Sequence, residues 1–318
     1  MTFKKLYLPV GLIMAIIAAL LFPNLGIRMK EAGAVPVFVV IIFLVSGWNL
    51  NLNEISLNKH ILFVFSVVLI GSLLIGPFIG TGIAHLLSLP PDFTTGLIVM
   101  SSVPVTLSSA TVITGVCKGN TALALIMTIG LNIAGIFTAP FTLKFCLGNS
   151  EGPELSATRL LVKLLILVLL PCLAGFVLKR LSKLGSNLIL QYTPSTCVIL
   201  TVFVACAASR SLLLNIQPTT YPILIFSTLS VHLLLMGIMF ISGTLLKTDA
   251  PEKKAMLFVG SQKTLPLAIS VLSMLPVDAG LPVIICLIFH FGQLLTDSVI
   301  AAHLSQNKRG HNLPNQTD

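Results

Sequence analysis

Apolar residues along this chain fall into ten blocks separated by short polar segments, at 6–22, 34–52, 61–86, 93–116, 120–143, 160–178, 193–213, 221–246, 255–275 and 281–304. A run of about 20 apolar residues crosses a bilayer as a helix. The pattern therefore predicts an all-α polytopic membrane protein with ten transmembrane helices. The blocks at 61–86, 93–116 and 221–246 are long enough to require tilt or a kink. Two blocks carry polar clusters inside them, SSVPVTLSSATVITG from Ser101 and VGSQKTLPLAISVL from Val259. Their prolines, Pro104 and Pro266, stand 162 residues apart. Hydrocarbon offers no water to a freed backbone group, so breaks at that depth persist only beside protein or a hydrated cavity.

Five blocks lie on either side of the polar link at 147–158. Five is odd, so a second half of the same fold enters the membrane from the opposite face, as an inverted repeat. The first five-helix repeat then covers 1–146, the second 160–304, and 305–318 is a short cytoplasmic tail. In this frame the fourth and ninth helices are the broken ones. Paired interruptions of this kind are the sequence pointer to a transporter's binding site.

Composition and charge sharpen this picture. The 318 residues are 9% charged with a mean hydropathy of +1.02, against about a quarter charged in soluble domains. With a cytoplasmic N-terminus, twelve of the nineteen Lys and Arg residues fall on the cytoplasmic side and six outside, leaving Lys263 in neither. That bias predicts a multi-pass protein of the cell's cytoplasmic (inner) membrane with both termini inside. The net charge of +9 is spread over single loops, which favours the lipid bilayer over a nucleic acid as partner. The apolar start reads as a first transmembrane helix rather than a cleaved signal, because Phe22-Pro23-Asn24 replaces a small-residue cleavage site. Six cysteines without paired spacing read as packing residues. Nothing in the pattern sets an oligomeric state.

At the first break, Ser101, Ser102, Thr106, Ser108, Ser109, Thr111 and Thr114 crowd fourteen positions. A single hydroxyl in a membrane helix commonly bonds back to a carbonyl one turn earlier. The cluster differs because Pro104 removes a backbone donor and disfavours helix at Val103. Unwound carbonyls with hydroxyls are oxygen ligands for a cation. The helix restarting near 106–109 would turn free N–H groups and a positive dipole end toward a carboxylate or sulfate. Thr128 and Asn132 share a face of the next span, where they either complete an ion site or bond between helices.

At the second break, Gln262, Lys263 and Thr264 precede Pro266. Lys263 lies about eight residues inside its span, roughly 12 Å from the end, which favours a functional role over snorkelling. Asp297 falls at similar depth in the last span and is expected to pair with it. His290 and Gln293, one turn apart, read as a hydrogen-bonded contact; no second histidine or carboxylate falls one turn away to make a metal site.

Three stretches carry a family resemblance. They are Thr95-Gly96-Leu97 through VPVTLSSATVIT to Lys118-Gly119-Asn120 with GIFTAP at 135–140, then GSQKTLPL at 260–267, and then His290-Phe291-Gly292-Gln293-Leu294-Leu295. In these the chain resembles the bile acid:sodium symporter family, solute carrier family 10, and within it the member 7-like branch and its bacterial relatives. The resemblance implies ten helices in an inverted five-helix repeat, a panel and a core domain, and broken fourth and ninth helices that cross. It also implies sodium-coupled uptake of organic anions. Sodium-coupled relatives carry glutamate-valine-glycine-x-glutamine-asparagine at the ninth-helix break; here the run is Phe258-Val259-Gly260-Ser261-Gln262-Lys263. A serine-asparagine pair of the fourth helix aligns near Ala110-Thr111, and Thr128 matches a ligand threonine of the fifth. The carried-over sodium ligands are thus Ser108, Ser109, Thr111, Thr128 and Gln262. Loss of the carboxylate and gain of an ammonium argue against two sodium ions bound as in those relatives. They imply one-ion, proton-coupled or uncoupled transport, with the Lys263 ammonium in place of one sodium.

The expected function is a secondary transporter for a small organic anion, with no cofactor beyond sodium as a coupling ion. The alternatives are a cation- or calcium-homeostasis protein of the same fold and a non-transporting membrane sensor. An intramembrane enzyme would want paired carboxylates or a histidine-bound metal, whereas only Asp297 of the ten acids lies well inside a block.

Overall fold

The computed structural model describes residues 2–49, 58–106, 109–148, 156–181, 188–275 and 279–306, and its regular elements are all helical. In the first half, α1 (Thr2–Leu21) turns by 98° into α2 (Pro23–Glu31). Pro23 opens α2 where a missing N–H costs nothing; the hydrophobic pattern did not foresee this bend. Then follow α3 (Ala34–Asn49), α4 (Lys59–Leu69), a π-helical turn (Ile70–Ile75), α5 (Gly76–Leu86), α6 (Pro91–Ser102), α7 (Ser109–Val116) and α8 (Thr121–Leu147).

The second half contains α9 (Ala157–Leu164), a second π-helical turn (Leu165–Leu169), α10 (Leu170–Leu181), α11 (Leu188–Ala208), the short α12 (Arg210–Leu214) and α13 (Thr220–Leu245). It closes with α14 (Ala250–Ser261), α15 (Leu265–Met274) and α16 (Gly280–Gln306). Asn58, Asn120, Ser156 and Asp249 cap α4, α8, α9 and α14 by accepting a first-turn N–H.

Among the described residues, six helices are long and apolar enough to cross a membrane, or seven if α1 and α2 count as one bent span. The outer surface agrees. Ile133, Phe137, Phe141 and Phe145 form an exposed stripe at four-residue spacing along α8. A stripe of that size faces lipid in a stable protein. Ala250–Met274 is the exception, with 94% of its most apolar window buried inside the protein. The span that carries the second break is therefore sheltered from lipid.

Both π turns have one cause. Gly76 N–H bonds Gly71 and Leu170 N–H bonds Leu165, one residue further back than in an α-helix. Each turn is followed by a proline, Pro77 or Pro171, which brings no N–H and crowds the preceding turn. The helix opens by one residue rather than breaking.

Helix packing falls into two groups. α3 lies against α10 and α11, and α1 and α2 lie against α11. Gly47 and Gly175 allow the close approach of α3 and α10, since a Cβ at either would strike a backbone carbonyl, of Cys172 or Leu44. The other group holds α5 through α8 with α13, α14 and α16. Within it α6 packs on α16, and α14 packs on α8.

Candidate functional site

Two helices break where the polar clusters predicted. α6 stops at Ser102 and α7 begins at Ser109; α14 stops at Ser261 and α15 begins at Leu265, with Pro266 in its first turn. The breaks touch through backbone, Thr264 N–H donating to the Pro104 carbonyl at 2.8 Å. Each is also tied by an amide side chain from the span that follows it. Asn132 Nδ2 donates to the Val105 carbonyl at 3.0 Å and to the Thr128 carbonyl at 2.8 Å. Gln293 accepts from the Lys263 N–H at 2.9 Å and donates to the Lys263 carbonyl at 2.7 Å. Freed backbone groups in a water-poor interior are thus satisfied by protein, as their cost demands.

The expected Lys263–Asp297 pair does not form. Gln262 has extended backbone (φ −69°, ψ 149°), and in extended chain successive side chains point to opposite sides. Gln262 therefore faces Asp297, donating from Nε2 to Oδ2 at 2.6 Å. Lys263 points the other way, its Nζ 2.7 Å from the Ser72 carbonyl and 3.2 Å from the Ser72 hydroxyl. Depth along an imagined continuous helix was the wrong guide at a break.

Asp297 takes its second partner from α13. His232 Nε2 lies 2.9 Å from Asp297 Oδ1, and Nδ1 lies 3.3 Å from the Ser261 carbonyl. A carbonyl only accepts, so Nδ1 donates, and the pair holds one proton between Nε2 and Oδ1. Both residues are buried. Sequence reasoning missed His232 and Ser72. The signal for the first was present, since a lone ionisable residue mid-block is a functional marker; for the second it was the Gly-Pro pair that follows the serine by four residues.

The hydroxyl cluster splits. Ser101 and Ser102 both bond back to the Ile98 carbonyl, and Thr114 to Ala110, as ordinary membrane-helix hydroxyls do. Thr106 and Ser109 instead cross to the second break, each donating to Gln262 Oε1 at 2.7 Å and touching each other. Ser108 lies outside the described residues. Thr111 Oγ1 and Thr128 Oγ1 are buried without a hydrogen-bond partner, as is His290 Nε2. His290 Nδ1 accepts from Gln293 Nε2 at 3.2 Å, the contact expected between them. Phe258, where sodium-coupled relatives hold a glutamate, is buried in an apolar cluster with Ile113, Cys117 and Met236.

Beside the crossing lies a narrow crevice of about 40 Å³, partly open to the outside. It is lined by Phe43 and Ser46 of α3, Ile129, Asn132, Ile133 and Ile136 of α8, Val168, Leu169 and Cys172 around α10, and Leu267 of α15. The surface is mostly apolar, with the Asn132 amide as its polar handle, and it runs between the two packing groups.

The family model described as the SBF-like CPA transporter family matches residues 7–306. The chain belongs to that family. The bile acid:sodium symporter resemblance is thereby confirmed, and this is a transporter family, not a family of enzymes. Among SBF-like relatives, "Probable sodium/metabolite cotransporter BASS4, chloroplastic" of Oryza sativa subsp. indica is 30% identical over 92% of this chain and 74% of its own length. The protein of the same name from Arabidopsis thaliana is 28% identical over 92% and 71%. "Sodium/bile acid cotransporter 7-A" of Xenopus laevis is 26% identical over 93% and 91%. With its apolar helices, this SBF-like chain is a membrane protein.

Proposed function

We propose that the chain is a secondary transporter that moves a small organic anion across the cytoplasmic membrane by alternating access, coupled to sodium or protons. Its frame is ten transmembrane passes in an inverted repeat, 1–146 and 160–304, with the N-terminus and the 305–318 tail in the cytoplasm. α1 to α3, α10 and α11 form the panel, and the group with both breaks forms the core. The observation that carries this reading is the crossing of two broken helices, joined from Thr264 to Pro104. Reciprocity supports the repeat: α6 sits on α16 as α14 sits on α8, and Asn132 serves one break as Gln293 serves the other.

Charge supports an anion. Among the described residues around the crossing, the His232–Asp297 pair with its one shared proton sums to zero, and His290 accepts from Gln293. That leaves the Lys263 ammonium as the uncompensated charge. The start of α15 adds a positive helix end. The apolar lining of the crevice suits the carbon part of such a solute, and the crevice must widen to admit it. Among the carried-over sodium ligands, Ser109 and Gln262 are bonded to each other, while the unpartnered hydroxyls of Thr111 and Thr128 are free to take a cation.

The test is thermal unfolding of the purified protein against a panel of organic anions, in sodium and in choline salts. A ligand that binds only the folded form raises the midpoint. Selective stabilisation by an anion supports the reading, and a panel that shifts nothing in either salt contradicts it.

A further inference from the structure

The first π turn leaves one carbonyl without a helical partner. Gly76 N–H bonds Gly71, so the Ser72 carbonyl loses the donor an α-helix would give it. The donor that the π pattern would supply in its place belongs to Pro77, which has no N–H. Ser72 is fully buried, and an orphaned carbonyl at such a site is costly. What satisfies it is the Lys263 ammonium, at 2.7 Å from the carbonyl and 3.2 Å from the Ser72 hydroxyl. Gly76 leaves the room: a Cβ there would come within 3.3 Å of Nζ and 3.1 Å of the Ser101 carbonyl.

Lys263 is fully buried. Among the described residues, the ion pairs are His60–Glu252 and His232–Asp297, so no carboxylate is paired with this ammonium. It is held by a carbonyl and a hydroxyl, the oxygen types with which proteins replace the hydration shell of a monovalent metal ion. Of the carried-over sodium ligands among the described residues, Ser109, Thr111, Thr128 and Gln262, none is a hydrogen-bond partner of its Nζ.

We infer that the π turn at Ser72 is a monovalent-cation site whose resident cation is Lys263, tethered to the second helix break. Removing the ammonium exposes the site to a cation from solution. The link to transport rests on the carrier reading; the site itself does not.

The test follows thermal unfolding of the purified protein in lipid nanodiscs, in sodium, potassium or choline chloride at one ionic strength. Lys263→Ala unfolds at lower temperature than wild type in choline. Sodium or potassium at about 100 mM raises its midpoint by about 3 °C or more in a saturable manner, a shift that wild type lacks. Pro77→Ala supplies the missing N–H to the Ser72 carbonyl, so Lys263→Ala/Pro77→Ala loses that response. Lys263→Met, which keeps the stem volume, replaces Lys263→Ala if the smaller variant does not fold. A lysine variant with no cation response beyond wild type overturns the inference, and so does a response that survives Pro77→Ala. No organic anion enters this experiment, so its failure leaves the carrier reading standing, and the reverse holds.

Discussion

Gln262 donates its side-chain amide to Asp297 at 2.6 Å, while its oxygen accepts from Thr106 and Ser109 at 2.7 Å. One uncharged side chain thereby links a carboxylate of the last helix to the hydroxyls of the opposite break. Gln262→Leu leaves a buried carboxylate oxygen unsatisfied and Thr106 and Ser109 with only each other, for a loss of about 2–3 kcal/mol. Gln262→Glu costs more, because it sets a second carboxylate against Asp297. Unfolding midpoints in nanodiscs give the order wild type, Leu, Glu; a Glu variant as stable as wild type would contradict the assignment.

The His232–Asp297 contact predicts strong non-additivity. Breaking a buried pair from one side leaves an uncompensated group, at about 3–5 kcal/mol. His232→Leu and Asp297→Leu each destabilise by that order, and the double variant loses less than their sum by at least about 1 kcal/mol. Additive losses would mean that the two side chains do not interact.

Gln293 and Asn132 do the same work at the two breaks with unequal stakes. Gln293 satisfies both backbone groups of Lys263, whereas Asn132 satisfies one carbonyl in the first break. Gln293→Leu therefore costs more than Asn132→Leu, about 2–3 against about 1–2 kcal/mol. Hydrogen exchange at the Lys263 amide accelerates in Gln293→Leu and not in Asn132→Leu. Equal exchange in the two variants would reject the assignment.

Much of this was legible in the sequence because hydrophobic block length and proline position are local signals. Ser102 and Ser261 end their helices where Pro104 and the polar run at 262–264 made helix untenable. Thr106, Ser109 and Gln262, chosen as chemistry-bearing from sequence alone, meet in one network. The direction of Lys263 was not legible, since it depends on the extended conformation of Gln262. His232 could not be placed beside Asp297 without knowing that α13 packs against α16. The π turns escaped because they alter helix geometry without interrupting the apolar pattern. The bend at Pro23 escaped because α2, with Asn24, Arg28, Lys30 and Glu31, falls in the polar gap after the first apolar block.

The central claim, carriage of an organic anion through the crossing, is tested most directly in proteoliposomes. Vesicles with wild-type protein or with Gln262→Leu are incubated with a deproteinised extract of small metabolites under imposed sodium or proton gradients, and trapped anions are measured by mass spectrometry. The account predicts at least one organic anion enriched severalfold in wild-type vesicles over protein-free ones under one of the gradients, with the enrichment lost in Gln262→Leu. Folded wild-type protein that enriches no organic anion under either gradient would contradict it.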